Sequence, residues 1–104
     1  MKKIEDYADL IDEEIADADK YAKKALVCKD LDPDAAQTFF QLSIEELNHS
    51  DRLHKLAVAA IKKLQAEGVE PPEPWMLREY ERRHSKAIDA TKEVRLMQEM
   101  YRGA

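Results

Sequence analysis

The stretch Phe39-Phe40-Gln41-Leu42-Ser43-Ile44-Glu45-Glu46-Leu47-Asn48-His49-Ser50-Asp51-Arg52-Leu53-His54-Lys55-Leu56 decides the fold. Read in alternating steps of three and four, Phe39, Leu42, Glu46, His49, Leu53, Leu56 and Ala60 form a heptad seam. That is the pattern of a helix that buries one stripe against a partner. Two neighbouring seam positions, Glu46 and His49, are polar. A buried carboxylate without a partner costs several kcal/mol or changes its protonation state. A buried seam therefore needs something to compensate these two side chains.

The boundaries of this helix are marked on both sides. Asp32 is an N-cap residue with Pro33 at the first helical position. Gly68 is a C-cap, and Glu70-Pro71-Pro72-Glu73-Pro74 forbids continuation. Upstream, Ile4, Tyr7, Ala8, Ile11, Ile15, Ala18, Tyr21, Ala22, Ala25 and Leu26 recur at gaps of three and four, which predicts a first helix over about 4–28. Its acidic residues come early and Lys20, Lys23 and Lys24 come late, as the helix dipole favours. A third helix is expected over about 74–102, with Met76, Tyr80, Ala87, Ala90, Val94, Met97 and Tyr101 on one face. The second helix, 33–67, carries a further apolar stripe through Phe40, Ile44, Leu47, Val58 and Ile61. One hairpin partner cannot cover both stripes, so contact with the third helix and with another subunit is expected.

At 104 residues the chain is one small all-α domain with a modest core. Lys+Arg 17 against Asp+Glu 22 leaves a net charge of −5, which does not favour nucleic acid. The short basic run Arg78, Arg82 and Arg83 is interleaved with Glu79 and Glu81, as on a solvated helix face. No apolar run approaches the roughly 20 residues that span a bilayer, and no membrane role is expected. The N-terminus lacks the apolar stretch of a signal peptide. The single Cys28 cannot form an internal disulfide, so the reading is cytoplasmic. No motif surrounds Cys28, and it reads as inert.

Folding the first two helices as an antiparallel hairpin about Lys29–Asp32 puts Glu14 and Glu46 nearly equidistant from the turn. At ~1.5 Å per residue they share a level to within a turn. Tyr7, Glu14 and Tyr21 occupy one heptad position at the edge of the first apolar stripe. His49 lies one turn beyond Glu46 and faces the same way. Glu14, Glu46 and His49 should converge as metal ligands. One Glu from one helix and Glu-x-x-His from the next make half of a carboxylate-bridged di-metal site.

These residues, Glu14, Tyr21 and the Glu46-Leu47-Asn48-His49 motif, resemble the ferritin-like superfamily, especially its short encapsulated-ferritin-like branch. The resemblance covers the first two helices. It implies that Glu14, Glu46 and His49 ligate iron and that Tyr21 lies close by as a catalytic group that hydrogen-bonds a ligand or donates an electron. It implies pairing of two chains, so that two hairpins complete a four-helix bundle with four Glu and two His around two irons. The expected assembly is a homodimer or a higher even-numbered homo-oligomer. The expected activity is ferroxidase-like oxidation of Fe(II) to Fe(III). Manganese or zinc would suit the same donors. Encapsulated members carry a C-terminal targeting peptide, whereas here the third helix runs nearly to Ala104, so a nanocompartment shell is not an expected partner.

Glu81-Arg82-Arg83-His84 repeats the Glu-x-x-His spacing. In an up-down arrangement it falls roughly 20 Å from Glu46, too far to complete the same site. His84 would lie near His54, where a secondary metal site with Asp51 is conceivable beside the reading as edge positions with ordinary hydrogen bonds. Trp75 is expected to anchor the turn into the third helix. Two other functions fit the same residues: a metal-binding module that performs no oxidation, and a metal-free interaction protein in which Glu14, Glu46 and His49 form a buried network that sets dimer register.

Overall fold

The computed structural model describes residues 2–68 and 73–103, and they form three α-helices. These are α1, Lys2–Cys28; α2, Pro33–Glu67; and α3, Pro74–Arg102. The stop signal expected from Glu70, Pro71 and Pro72 lies outside the described residues. The flanking signals act as read. The Asp32 carboxylate accepts a hydrogen bond from the Ala35 amide at 3.2 Å, with Pro33 opening the helix. At the far end Gly68 takes the left-handed conformation, φ 67°, and its amide donates to the Leu64 carbonyl. A side chain there would be strained, which is why the chain uses glycine to leave the helix.

α1 and α2 form an antiparallel hairpin, and α3 lies along it, pressed mainly on α1 and only lightly on α2. The bundle measures 57 × 19 × 18 Å. Its radius of gyration, 16.6 Å, exceeds the ~13 Å of a compact domain of this length. In such a rod each helix keeps a broad face outside the core.

The core runs along one seam on each helix. On α1 it is Ile4, Ala8, Ile11, Ile15, Ala18, Ala22 and Ala25, all buried. This is the stripe expected from the sequence, with Tyr7, Tyr21 and Leu26 half-buried on its edges. On α2 the buried seam is Ala36, Phe40, Ser43, Leu47, Ser50 and Ala57, not the stripe that begins at Phe39. Phe39, Leu42, Glu46 and Leu53 are half-buried, and His49 and Leu56 are exposed. On α3 the seam is Tyr80, Ala87, Val94 and Gln98, with His84 and Tyr101 half-buried in the same row.

The reason for the shift on α2 is steric. Ala36, Ser43, Ser50 and Ala57 recur every seven residues, and a row of small side chains lets a neighbouring helix approach closely. α1 answers with Ala18, Ala22 and Ala25, each at 0–1% exposure. Serine is admitted because its hydroxyl is satisfied locally. Ser50 donates to the Leu47 carbonyl at 2.8 Å, and Ser43 donates across the interface to the Ala18 carbonyl at 2.8 Å. Gln98 on α3 then donates its amide to Ser43 Oγ at 3.0 Å. One chain of hydrogen bonds thus runs through all three helices at a single level.

The ends of α3 are held differently. Near its C-terminus Tyr101 stacks on Phe40, ring centroids 4.7 Å apart, and its hydroxyl donates to Gln37 at 3.1 Å. Near its N-terminus Tyr80 joins Ile4, Ala8 and Ala57 in a second core cluster. There Arg83 donates to Asp9 and Asp12 of α1 at 2.9 and 2.6 Å. Trp75, expected as an anchor, is 54% exposed and only walls a surface cavity with Ile4, Ile61 and Tyr80.

The Ser43–Gln98 pair gives a test of this core. Ser43→Ala should cost about 1–3 kcal/mol, because it leaves the buried Gln98 amide without a partner. Adding Gln98→Leu should recover most of that loss, since removing both partners is far cheaper than removing one. Chemical denaturation of the three proteins measures both numbers, and additive losses would contradict the account.

Candidate metal centre

The hairpin places Glu14 of α1 and Glu46 of α2 at one level, as their equal distance from the turn requires. Among the described residues, one group of three potential metal ligands gathers: Glu14, Glu46 and His49, with one donor atom from each lying within 4.8 Å of the others. His49 Nδ1 is 3.7 Å from Glu14 Oε2 and 3.7 Å from Glu46 Oε1. Two donors each about 2.1 Å from a common ion stand roughly 3–4.2 Å apart. The spacing found here is therefore that of ligands around a shared point, and it is longer than a hydrogen bond.

Local structure fixes each side chain. Glu14 precedes Ile15, whose burial holds that turn of α1 in place. Glu46 precedes Leu47, which is 3% exposed and does the same for α2. His49 follows Glu46 by three residues, nearly one turn, so its ring overhangs the two carboxylates. Side-chain exposure rises outward from 18% for Glu46 and 26% for Glu14 to 48% for His49. The group is an open cup on the flank of the hairpin.

Electrostatics within the cup are asymmetric. The Glu46 carboxyl is raised to about 7. A hydrogen bond with Glu14 is the first cause, followed by partial loss of water and the repulsion of the Glu14 charge, with Asp17 adding to it. His49 pulls the other way. In physical terms two carboxylates have been pushed together and retain a proton between them near neutrality. A cation would relieve the repulsion that the proton now relieves, which is the property expected of a metal-binding carboxylate pair. Three protein donors are also fewer than most divalent ions take up, so the cup leaves coordination positions open.

Tyr21 lies on the same flank of α1, about 10 Å along the helix from Glu14. Its ring stacks on Phe39 with centroids 6.2 Å apart and interplanar angle 16°, and Lys20 Nζ sits 5.2 Å from the ring centre. It is not a member of the three-donor group.

The second Glu-x-x-His does not form a ligand group. Glu81 is exposed. The His84 ring lies flat on that of His54, centroids 3.8 Å apart and planes within 2°. Rings that meet face to face present π surfaces to each other, while their nitrogen lone pairs run side by side and do not converge. Sequence reasoning did bring His54 and His84 to one level. It did not find Tyr80, whose hydroxyl is 2.8 Å from His54 Nδ1. The signal was present in the four-residue step from Tyr80 to His84, which puts both on the core seam of α3.

A scan against protein-family models finds no match, and searches of curated proteins and of solved structures find none. No helix among the described residues is long and apolar enough to cross a membrane.

The raised Glu46 carboxyl makes a signed prediction. In the unfolded chain it ionises near 4.5, and in the folded, metal-free protein only near 7. Between those values the folded state holds the extra proton. This group's contribution to stability is complete below about pH 4.5 and is lost as pH rises to about 7. Glu46→Gln should remove that component. The difference in melting temperature between wild type and variant, measured with chelator present, should change across pH 5–7.5 and flatten above it. A constant difference would show that Glu46 and Glu14 share no proton.

Proposed function

We propose that this chain is an iron-handling protein of ferritin-like design, in which Glu14, Glu46 and His49 bind Fe(II) as a half-site that a second copy completes. The observation that carries this reading is the convergence of the three donors from two helices at ligand spacing. Four glutamates and two histidines from two copies would hold two ferrous ions. Each ion gives up one electron, to O₂ or peroxide, and leaves as Fe(III). Carboxylate oxygens are hard anionic donors that favour the ferric product, and imidazole adds a neutral nitrogen to each ion.

The residues around the cup support pairing. Leu10 and Leu56 are 41% and 51% exposed, and Phe39, Leu42 and Leu53 are half-buried on the same flank of the hairpin. Leu10 lies one turn before Glu14, and Leu56 two turns beyond His49. A carboxylate-and-imidazole cup ringed by apolar side chains is the surface expected where two copies meet and exclude water from a shared site. Tyr21, held by Phe39, is the proposed nearby electron donor. Glu46 has a further part. It gives up its proton as the cation arrives, so binding should weaken as pH falls below about 7.

Anaerobic titration with Fe(II), followed by addition of O₂, tests the reading. Binding should saturate at one ion per chain, with the mass of a dimer or an even multiple in light scattering. Oxidation should outpace the buffer reaction. Glu46→Ala and His49→Ala should each weaken binding by at least about tenfold to a hundredfold, the loss seen even for groups that only support ligands. Saturable binding without accelerated oxidation would select a non-catalytic metal-binding protein. No stoichiometric binding would sink the metal reading and leave a proton-sharing polar network.

A further inference from the structure

The three-helix core contains a second cluster of titratable groups that the metal centre does not use. His54 is half-buried on the core side of α2, seven residues after Leu47 and three before Ala57. His84 occupies the seam of α3. Their rings stack at 3.8 Å. Tyr80, 8% exposed, is stacked 5.9 Å from the His54 ring, and its hydroxyl is hydrogen-bonded to His54 Nδ1. These contacts join the C-terminal half of α2 to the N-terminal half of α3, as Gln98–Ser43 and Tyr101–Phe40 join the opposite halves.

We propose that the stacked His54–His84 pair is a pH-sensitive latch that holds the N-terminal half of α3 on the hairpin while both rings are neutral and lets it lift away when they are protonated. Two cationic rings cannot remain 3.8 Å apart in a half-buried position without a counter-charge.

The surrounding carboxylates are each already shared with a cation. From α1, Asp9 and Asp12 approach, but both are engaged by Arg83. From α2 comes Asp51, already 3.1 Å from Lys55. From α3 come Arg83 and His84 itself, with Lys92 and Arg95 lining the same groove as both histidines. Burial and the neighbouring His84 ring hold His54 below its ordinary value, with Asp51 opposing weakly. A histidine with a depressed native value contributes stability that is complete above about pH 6.5 and is lost as pH falls below it.

The latch is local because the two halves of α3 are fastened by different chemistry. The C-terminal half is held by Val94, by the Gln98–Ser43 bond and by the Tyr101–Phe40 stack, and none of those contacts involves a histidine or a carboxylate. The N-terminal half depends on the imidazole pair, with Tyr80 buried beneath it and Arg83 beside it. Lifting it would uncover Ile4, Ala8 and Ala57, the apolar patch that Tyr80 now covers.

Hydrogen exchange of the metal-free full chain at pH 7.5 and 5.5, corrected for intrinsic rates, reads this directly. Residues 76–88 should exchange faster at the lower pH, by up to about tenfold for one withheld proton. Residues 94–101 should not change. His84→Phe, which keeps a stacked ring but no charge, should reduce the response, and His54→Gln with His84→Phe should abolish it. His49→Gln, which alters only the metal centre, should keep it. Equal protection of 76–88 at both pH values would overturn the latch, as would a response that follows His49. Titration of the two imidazoles by NMR in the wild-type chain provides a test independent of any variant. The second proton should enter only as the protection of 76–88 is lost, and two independent titrations near pH 6.5 with protection intact would overturn the proposal.

Discussion

The close approach of α1 and α2 along their small residues is the constraint on which the rest depends. Ala18, Ala22 and Ala25 of α1 and Ala36 and Ser43 of α2 are all 0–1% exposed, and Ser43 meets the Ala18 carbonyl directly. Larger side chains would hold the helices further apart, as overpacked cores do, at a cost of about 1–3 kcal/mol for each misfit. More important for chemistry, they would separate Glu14 from Glu46. The carboxylate pair is forced together by alanines and serines that bear no functional group of their own.

That contact also apportions the faces of the rod. With the small-residue seam turned inward, the bulkier stripe of α2 is displaced onto the flank, and Glu46 and His49 go with it. α3 settles on the opposite side, chiefly against α1, through Ala87, Val94 and Gln98. The chain therefore separates two polar groups by direction. Carboxylates and one imidazole face outward in a cup, and two imidazoles and a phenol face inward between helices.

Much of this was legible in the residues. The helix limits followed from Asp32, Pro33 and Gly68, whose capping chemistry is local and does not depend on the tertiary fold. The meeting of Glu14, Glu46 and His49 followed from counting residues away from one short turn. The choice of seam on α2 did not follow. Hydrophobicity ranks Phe39, Leu42 and Leu53 above Ser43 and Ser50, whereas packing ranks them by the distance they impose between helix axes. A serine that donates to a carbonyl loses its polar cost on burial, and no periodicity of apolar residues reveals that. The same shift of seam sets His54, which follows Phe40 and Leu47 in a buried row and so meets His84 by its face instead of by its nitrogens.

The four residues between α1 and α2 have a kinetic consequence. Every group of the proposed metal centre lies in a hairpin closed by a very short loop, so once the turn and its two helices form, little further closure entropy is needed to bring the three donors together. α3 contributes none of the three donors, and its docking awaits a longer connection. Assembly of the cup can therefore precede completion of the monomer's own core during synthesis. A nascent chain with only its first two helices formed already presents the three donors.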